Sequence, residues 1–277
     1  MIKILQTLFF ILFAQIAQGQ TPKAELIIGV VPNLSARIIN VNYQPFADYF
    51  EKNLGRDVRI TTGTSFPNFY QRALANEFQM MVTAPNLARV SQLDGNWEPV
   101  AVLEPGIPGL LVGLNSRENN LELLRGKKLA IANPQSLVAL AGLDWLDKQG
   151  LKAGRDYEII RIANDDSLGT TLKTGEAAFA IMSQGEFNAK SPELKKILTP
   201  VNTFVRLPGF FIMVNKSLTP TEMKKIRGLI QDFPKSTQGT AFFSLSGFTG
   251  LSAPTANQIG LLDAFEPATR QGLLSNK

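Results

Sequence analysis

Residues 26–55, LIIGVVPNLSARIINVNYQPFADYFEKNLG, decide the fold. The run Leu26-Ile27-Ile28-Gly29-Val30-Val31 is short, apolar and rich in β-branched residues, as a buried parallel strand is. Pro32-Asn33-Leu34-Ser35 turns the chain. Ile39, Tyr43, Phe46, Phe50 and Leu54 then recur at helical spacing until Gly55, a stop signal. Pro45 lies inside that pattern and predicts a kink or the start of a second helix. A strand that enters a helix through a tight turn is the building unit of parallel α/β sheets.

The unit repeats downstream. Val58–Thr62 is a strand, with a helix from the Ser65-Pro67 region to Ala75. Gln79–Thr83 is a strand that turns through Ala84-Pro85-Asn86 into a short helix, and Trp97–Leu103 is a fourth strand. The Pro/Gly cluster Glu104–Gly109 interrupts the pattern, and strand Leu110–Leu114 follows. The alternation then restarts. Lys128–Ala132 is a strand, Asn133-Pro134-Gln135-Ser136 a turn, and an Ala/Leu-rich helix runs to Lys148. Tyr157–Ile162 is a strand, Asn164–Ser167 a cap-rich turn, and a helix continues through Lys173 to strand Ala177–Met182. A second break, Arg206–Gly209, precedes strand Phe210–Asn215. Helices are expected over 220–230, 234–245 and 254–265, with 266–277 as a tail.

Two breaks are what a discontinuous domain needs. We therefore expect an α/β protein of two lobes, each a mostly parallel sheet flanked by helices and joined by two crossover strands. Residues 20–109 with 208–277 make one lobe and 110–207 the other. One continuous doubly wound sheet explains the alternation but not the two breaks.

Residues 1–19, MIKILQTLFFILFAQIAQG, have a basic start at Lys3, an apolar core over Ile4–Ile16, and small residues at Ala17 and Gly19. This is the pattern of a cleavable signal peptide, and its apolar run is shorter than the roughly 20 residues that span a bilayer. The expected location is the periplasm.

Composition narrows the chemistry. A length of 277 residues with 44% hydrophobic content supports sizeable cores. The absence of Cys excludes disulfides, thiolate metal sites and a lipidated cysteine anchor. The absence of His removes the usual general base and the commonest zinc ligand. No dinucleotide or phosphate-loop glycine motif and no metal-ligand cluster is visible, so no enzyme, cofactor or metal is expected. The net charge of +5 is spread over pairs such as Lys127-Lys128, Lys195-Lys196 and Lys224-Lys225 rather than a basic run, which disfavours a nucleic-acid partner.

In open parallel sheets, ligands bind outside the carboxyl ends of the strands. The post-strand turns carry Asn33, Thr83, Ala84, Pro85, Asn86, Ser136, Asn164, Asp165 and Ser183, and each leads into a helix whose first N–H groups favour an anion. For each hydroxyl or amide taken alone, helix capping is the plainer reading. Tyr43, Phe66 and Tyr70 are aromatic candidates for the walls, with core packing as the alternative. Arg37, Arg89 and Arg161 lie closest to these turns, where surface ion pairing competes with ligand binding.

IIGVVPN (27–33), YQPFADYFEKNLGRDV (43–58), SFPNFYQRALANEFQMMVTAPNLA (65–88), LRGKKLAIANPQSLVAL (124–140) and SLGTTLKTGEAAFAIMS (167–183) together resemble the phosphate/phosphite/phosphonate-binding component of ABC transporters. The resemblance covers about 25 to 260 and implies the type II periplasmic-binding fold. It also implies a small anionic ligand held between the lobes, and a partner permease or sensor in the inner membrane; a monomer is expected. It implies an oxyanion seated at Ser136, Leu137 and Val138, where only Ser136 keeps a hydroxyl, and at Thr83–Asn86. Many relatives end the latter turn in His; this chain has Asn86.

Overall fold

The computed structural model describes residues 24–115, 120–162 and 165–274. The proposed signal segment and Asn164 lie outside the described residues. Strand β1 (Leu26–Val30) buries Leu26, Ile28 and Val30 on one face, as its sequence predicts. Helix α1 (Ala36–Leu54) follows, capped by Ser35 and ended by left-handed Gly55. It runs unbroken through Pro45. The proline removes only the hydrogen bond to the carbonyl of Val41, and Val41 is 53% exposed, so water can solvate the freed group.

The first sheet has the order β11-β4-β10-β3-β1-β2, adding β2 (Val58–Thr62), β3 (Met80–Thr83), β4 (Trp97–Glu104), β10 (Phe211–Asn215) and β11 (Gly250–Ser252). The second has the order β7-β6-β8-β5-β9, built from β5 (Ile107–Leu114), β6 (Lys128–Ile131), β7 (Glu158–Arg161), β8 (Phe179–Ser183) and β9 (Leu198–Leu207). The parallel core expected from sequence is present as β2-β1-β3 and β7-β6-β8. Strands β5 and β10, which follow the two crossings, run against it, so each sheet is mixed. Strand β9 was not expected, because Pro200 falls inside it. It is an edge strand, where proline is tolerated.

The chain passes between the sheets twice, at 105–106 and 208–210. At the second crossing, a Cβ on Gly209 would lie 1.7 Å from the carbonyl oxygen of Leu103. Only glycine allows that approach.

Helices cover both faces of each sheet. In the first lobe, α1, α8 (Pro220–Asp232) and α9 (Thr237–Ser246) enclose an aromatic core in which Phe46 and Phe233 meet edge to face at 4.9 Å. Helix α9 starts later than expected because Phe233–Lys235 forms a 3₁₀ turn and Ser236 caps the helix. On the opposite face lie α2 (Phe66–Leu74), α3 (Pro85–Asp94), α10 (Ala256–Asp263) and α11 (Glu266–Leu274). In the second lobe, α4 (Leu137–Lys148) covers one face, while α5 (Asp165–Lys173), α6 (Gln184–Asn188) and α7 (Pro192–Ile197) cover the other. One buried cluster contains Phe66, Tyr70, Leu87, Leu262 and Leu273 of the first lobe and Leu129, Ile131, Leu137 and Val138 of the second. The lobes therefore share an apolar seam on this side.

Helix α11 corrects the expected tail at 266–274. It is pinned by charge. Arg270 donates to Glu266 at 2.8 Å and to both oxygens of Asp94, which also accepts from the hydroxyl of Tyr70. Helix α10 is tied to α3 by Arg89 and Asp263 at 2.6 Å.

Two outcomes follow from these contacts. Gly209→Ala should lower the unfolding free energy by about 3 kcal/mol, as forced overpacking against backbone does. Urea unfolding measures it, and a loss below about 1 kcal/mol would show that the crossing is looser than described. The second outcome concerns pH. Hydrogen bonding from Arg270 and Tyr70 holds the Asp94 carboxyl below its usual range, while burial and Asp94 push the Tyr70 phenol up. Asp94 therefore contributes stability that is full above the unfolded carboxyl pKa, about 3.9, and lost as pH falls through its lower folded value. Tyr70 contributes stability present below about pH 10 and lost as pH rises through its higher folded value. Asp94→Asn should make the acid limb of a stability–pH curve shallower, and Tyr70→Phe the alkaline limb. Unchanged limbs in both variants would refute the coupling.

Candidate functional site

The parallel strands of both sheets point their carboxyl ends at the seam between the lobes, because the chain crosses there. Strand β3 ends in Thr83, whose side chain alternates to the same face as Met81 and is fully buried. Ala84 and Pro85 turn the chain into α3. Ala84 provides no side-chain cap, and proline at the first helical position needs no N–H partner. Asn86 follows, 2% exposed.

Across the seam, strand β6 leads through Asn133, Pro134 and Gln135 to Ser136, which caps α4 by accepting from the N–H of Ala139 at 3.1 Å. Helix geometry leaves the N–H groups of Leu137 and Val138 without intrahelical partners. Both side chains are buried.

These two helix heads meet. The Asn86 amide Nδ2 donates to the carbonyl of Gln135 at 3.1 Å and to Thr269 Oγ1 at 3.3 Å. The Gln135 side chain donates to the carbonyl of Gly272 at 3.0 Å. A Cβ on Gly272 would lie 3.0 Å from Cγ of Gln135, so the helix passes close to that side chain. The site thus has three walls: the heads of α3 and α4, and the flank of α11. Thr83 Oγ1 and Asn86 Oδ1 are buried there with no hydrogen-bond partner among the described residues.

The structure therefore brings together Thr83, Ala84, Pro85, Asn86, Ser136, Leu137 and Val138. Phe66 is buried in the same apolar seam, at the start of α2. The other expected residues have contacts of their own. Tyr43 packs in the first-lobe core against Phe242 at 5.3 Å, on the far face of the sheet, and burial pushes its phenol up. Asn33 is exposed and donates its N–H to the carbonyl of Val31 at 2.8 Å. Ser183 forms a capping box with Glu186 at the head of α6. Asp165 opens α5. Of the arginines, Arg89 is engaged by Asp263 and Gln92, while Arg37 and Arg161 are exposed.

Gln135, Thr269 and Gly272 were not expected. Gln135 stood in a turn already identified, but its role depends on α11. A sequence signal for α11 did exist: proline follows Glu266 at its start, and Glu266 pairs with Arg270 four residues on. At the hinge, a groove of about 290 Å³ is lined by Glu104, Gly106, Arg206, Leu207, Asn257 and Gln258. None of the expected site residues lines it. Among the described residues there is no cluster of acidic side chains suited to a metal ion.

The fold is shared with solved binding proteins at low sequence identity. A binding protein component of an ABC phosphonate transporter from Pseudomonas aeruginosa superposes with a TM-score of 0.75 at 13% identity, over 93% of this chain and 90% of its own. PhnD1 from Prochlorococcus marinus, solved with methylphosphonate, gives 0.76 at 10% identity, over 89% and 98%. A Xanthomonas citri protein, XAC2383, solved with ATP, gives 0.76 at 14% identity, over 91% and 99%. No curated protein matches the sequence. The family of phosphonate periplasmic substrate-binding proteins of ABC transporters matches residues 28–259, most of the described chain. Its members bind and deliver substrates and are not enzymes. A two-lobed α/β chain whose post-strand turns converge on one seam, and whose sequence fits that family from β1 to α10, belongs to the phosphonate-type periplasmic substrate-binding proteins of ABC transporters.

Proposed function

We propose that the chain, exported to the periplasm by its N-terminal signal peptide, captures a small oxyanion of the phosphonate, phosphite or phosphate type between its lobes. It delivers this ligand, as a monomer, to an ABC permease in the inner membrane. The lobes are 20–109 with 208–277 and 110–207, with the first boundary inside β5, just past the crossing at 105–106. One observation carries the reading: Thr83 Oγ1 and Asn86 Oδ1 are buried without partners at the head of α3, beside the point where the Asn86 amide Nδ2 meets the head of α4. An unpartnered buried polar atom costs about 1–3 kcal/mol, and a ligand that pairs with it removes that cost. The hydroxyl of Thr83 and the N–H groups of Leu137 and Val138, which have no intrahelical partners, are donors suited to an oxyanion.

A second reading is favoured by one observation. Leu137 and Val138 present apolar side chains, which suits a bulkier organic ligand, passed either to a permease or to a membrane sensor.

A thermal-shift screen of the mature chain separates these readings. The probes are phosphate, phosphite, methylphosphonate, aminoethylphosphonate, sulfate and taurine. At a hundredfold excess over Kd, a true ligand adds about 2.7 kcal/mol, or about 5–10 °C in Tm for a chain of this size. Thr83→Val should weaken the best anion about tenfold while leaving the ligand-free protein at least as stable, since it removes an unpaired hydroxyl without changing shape. If no anion moves Tm while uncharged aromatic probes do, the oxyanion reading is wrong.

A further inference from the structure

The orientation of the Asn86 amide is settled by its neighbours, and that orientation selects the ligand. Nδ2 faces two groups, the Gln135 carbonyl and Thr269 Oγ1. A carbonyl only accepts. The Thr269 hydroxyl already donates its proton to the carbonyl of Phe265 at 2.8 Å, so toward Asn86 it too only accepts. Both positions therefore demand N–H, and Oδ1 is left on the other side, buried and unpartnered. A bare oxyanion placed there would set oxygen against oxygen.

Resting on the oxyanion reading above, we infer that Asn86 selects anions that also carry a hydrogen-bond donor, either an acid hydroxyl or an ammonium group, and that Thr269 is the positioning residue that holds the amide for this task. Thr83 supplies the complementary donor to the anion itself. The division of labour between Gln135 and Thr269 follows from their positions. Gln135 belongs to the second lobe, so its contact is broken when the lobes part. Thr269 belongs to α11, which the Arg270–Asp94 pair ties to the same lobe as Asn86. The open protein thus keeps Oδ1 turned toward incoming ligand, and the Gln135 carbonyl returns on closure. Discrimination follows because a site that leaves its buried acceptor unpaired rejects the analogue lacking the donor.

The test is calorimetric titration of the mature chain with two matched pairs of probes. Methylphosphonate, held below its second ionisation, and methanesulfonate are similar in shape and equal in charge, but only the former has an O–H. Taurine and ethanesulfonate differ by an ammonium group. The donor-bearing member of at least one pair should bind about tenfold tighter or better. Preference in the first pair alone assigns the donor to the acid hydroxyl, and in the second alone to the ammonium. Thr269→Val should bring the ratio within that pair toward one, because in the open protein, with the Gln135 carbonyl withdrawn, the amide is then free to turn and meet the ligand with either end, and Thr269→Ser should restore it. A merely structural loss would weaken both members equally. Equal affinities within both pairs would overturn the inference and leave the oxyanion reading standing, whereas no binding of any of the four would overturn both.

Discussion

At the hinge, Gly209 runs so close to the carbonyl of Leu103 that no side chain could stand between them. This contact lets β10 return beside β4 after the chain has built the second sheet. The consequence is geometric. Because the chain leaves the first sheet from β4 and re-enters it at the neighbouring β10, the parallel strands of both sheets end facing the same seam. Their following helices then present N-terminal ends to each other. The site owes its position to this crossing more than to any single residue in it.

The alternation of strands and helices was legible in the sequence because buried strands such as Leu26–Val30 and capped helices such as the one after Thr219 leave strong local patterns. The two breaks were legible because proline and glycine mark them. Strand β9 was not, since Pro200 inside it reads as a strand breaker until its edge position is known. The head of α3 was identified correctly as a post-strand turn, yet nothing local shows that Asn86 is 2% exposed with one amide atom unpaired. Tyr43 shows the reverse failure. Its helical spacing fits a cleft wall as well as a core position, and only the packing against Phe242 decides.

Helix α11 was the omission that matters most to the site, and its docking explains why. It buries little apolar surface, chiefly Leu273. Its attachment rests on Arg270, which bridges Asp94 and Glu266. The partner at Asp94 lies at the far end of α3, so a reading of the local sequence finds only a short polar segment. Charge pairs between distant positions carry no periodicity. Yet this helix supplies Thr269 and Gly272 to the seam, and so the third wall of the site came from the least readable part of the chain.

Apolar and polar parts of the seam act in opposite senses on closure. Leu137, Val138 and Leu273 favour bringing the lobes together whatever the cleft holds, because burial of apolar surface is not selective. Thr83 and Asn86 oppose closure on an empty cleft, since each keeps a buried atom without a partner, at about 1–3 kcal/mol apiece. The two together are large enough to offset a modest apolar gain. On the proposed function, a ligand that pairs with both atoms would remove the opposing cost and bind the closed form selectively, which is what differential affinity for two states requires. On this account the unpaired atoms proposed to choose the ligand would also make closure depend on it.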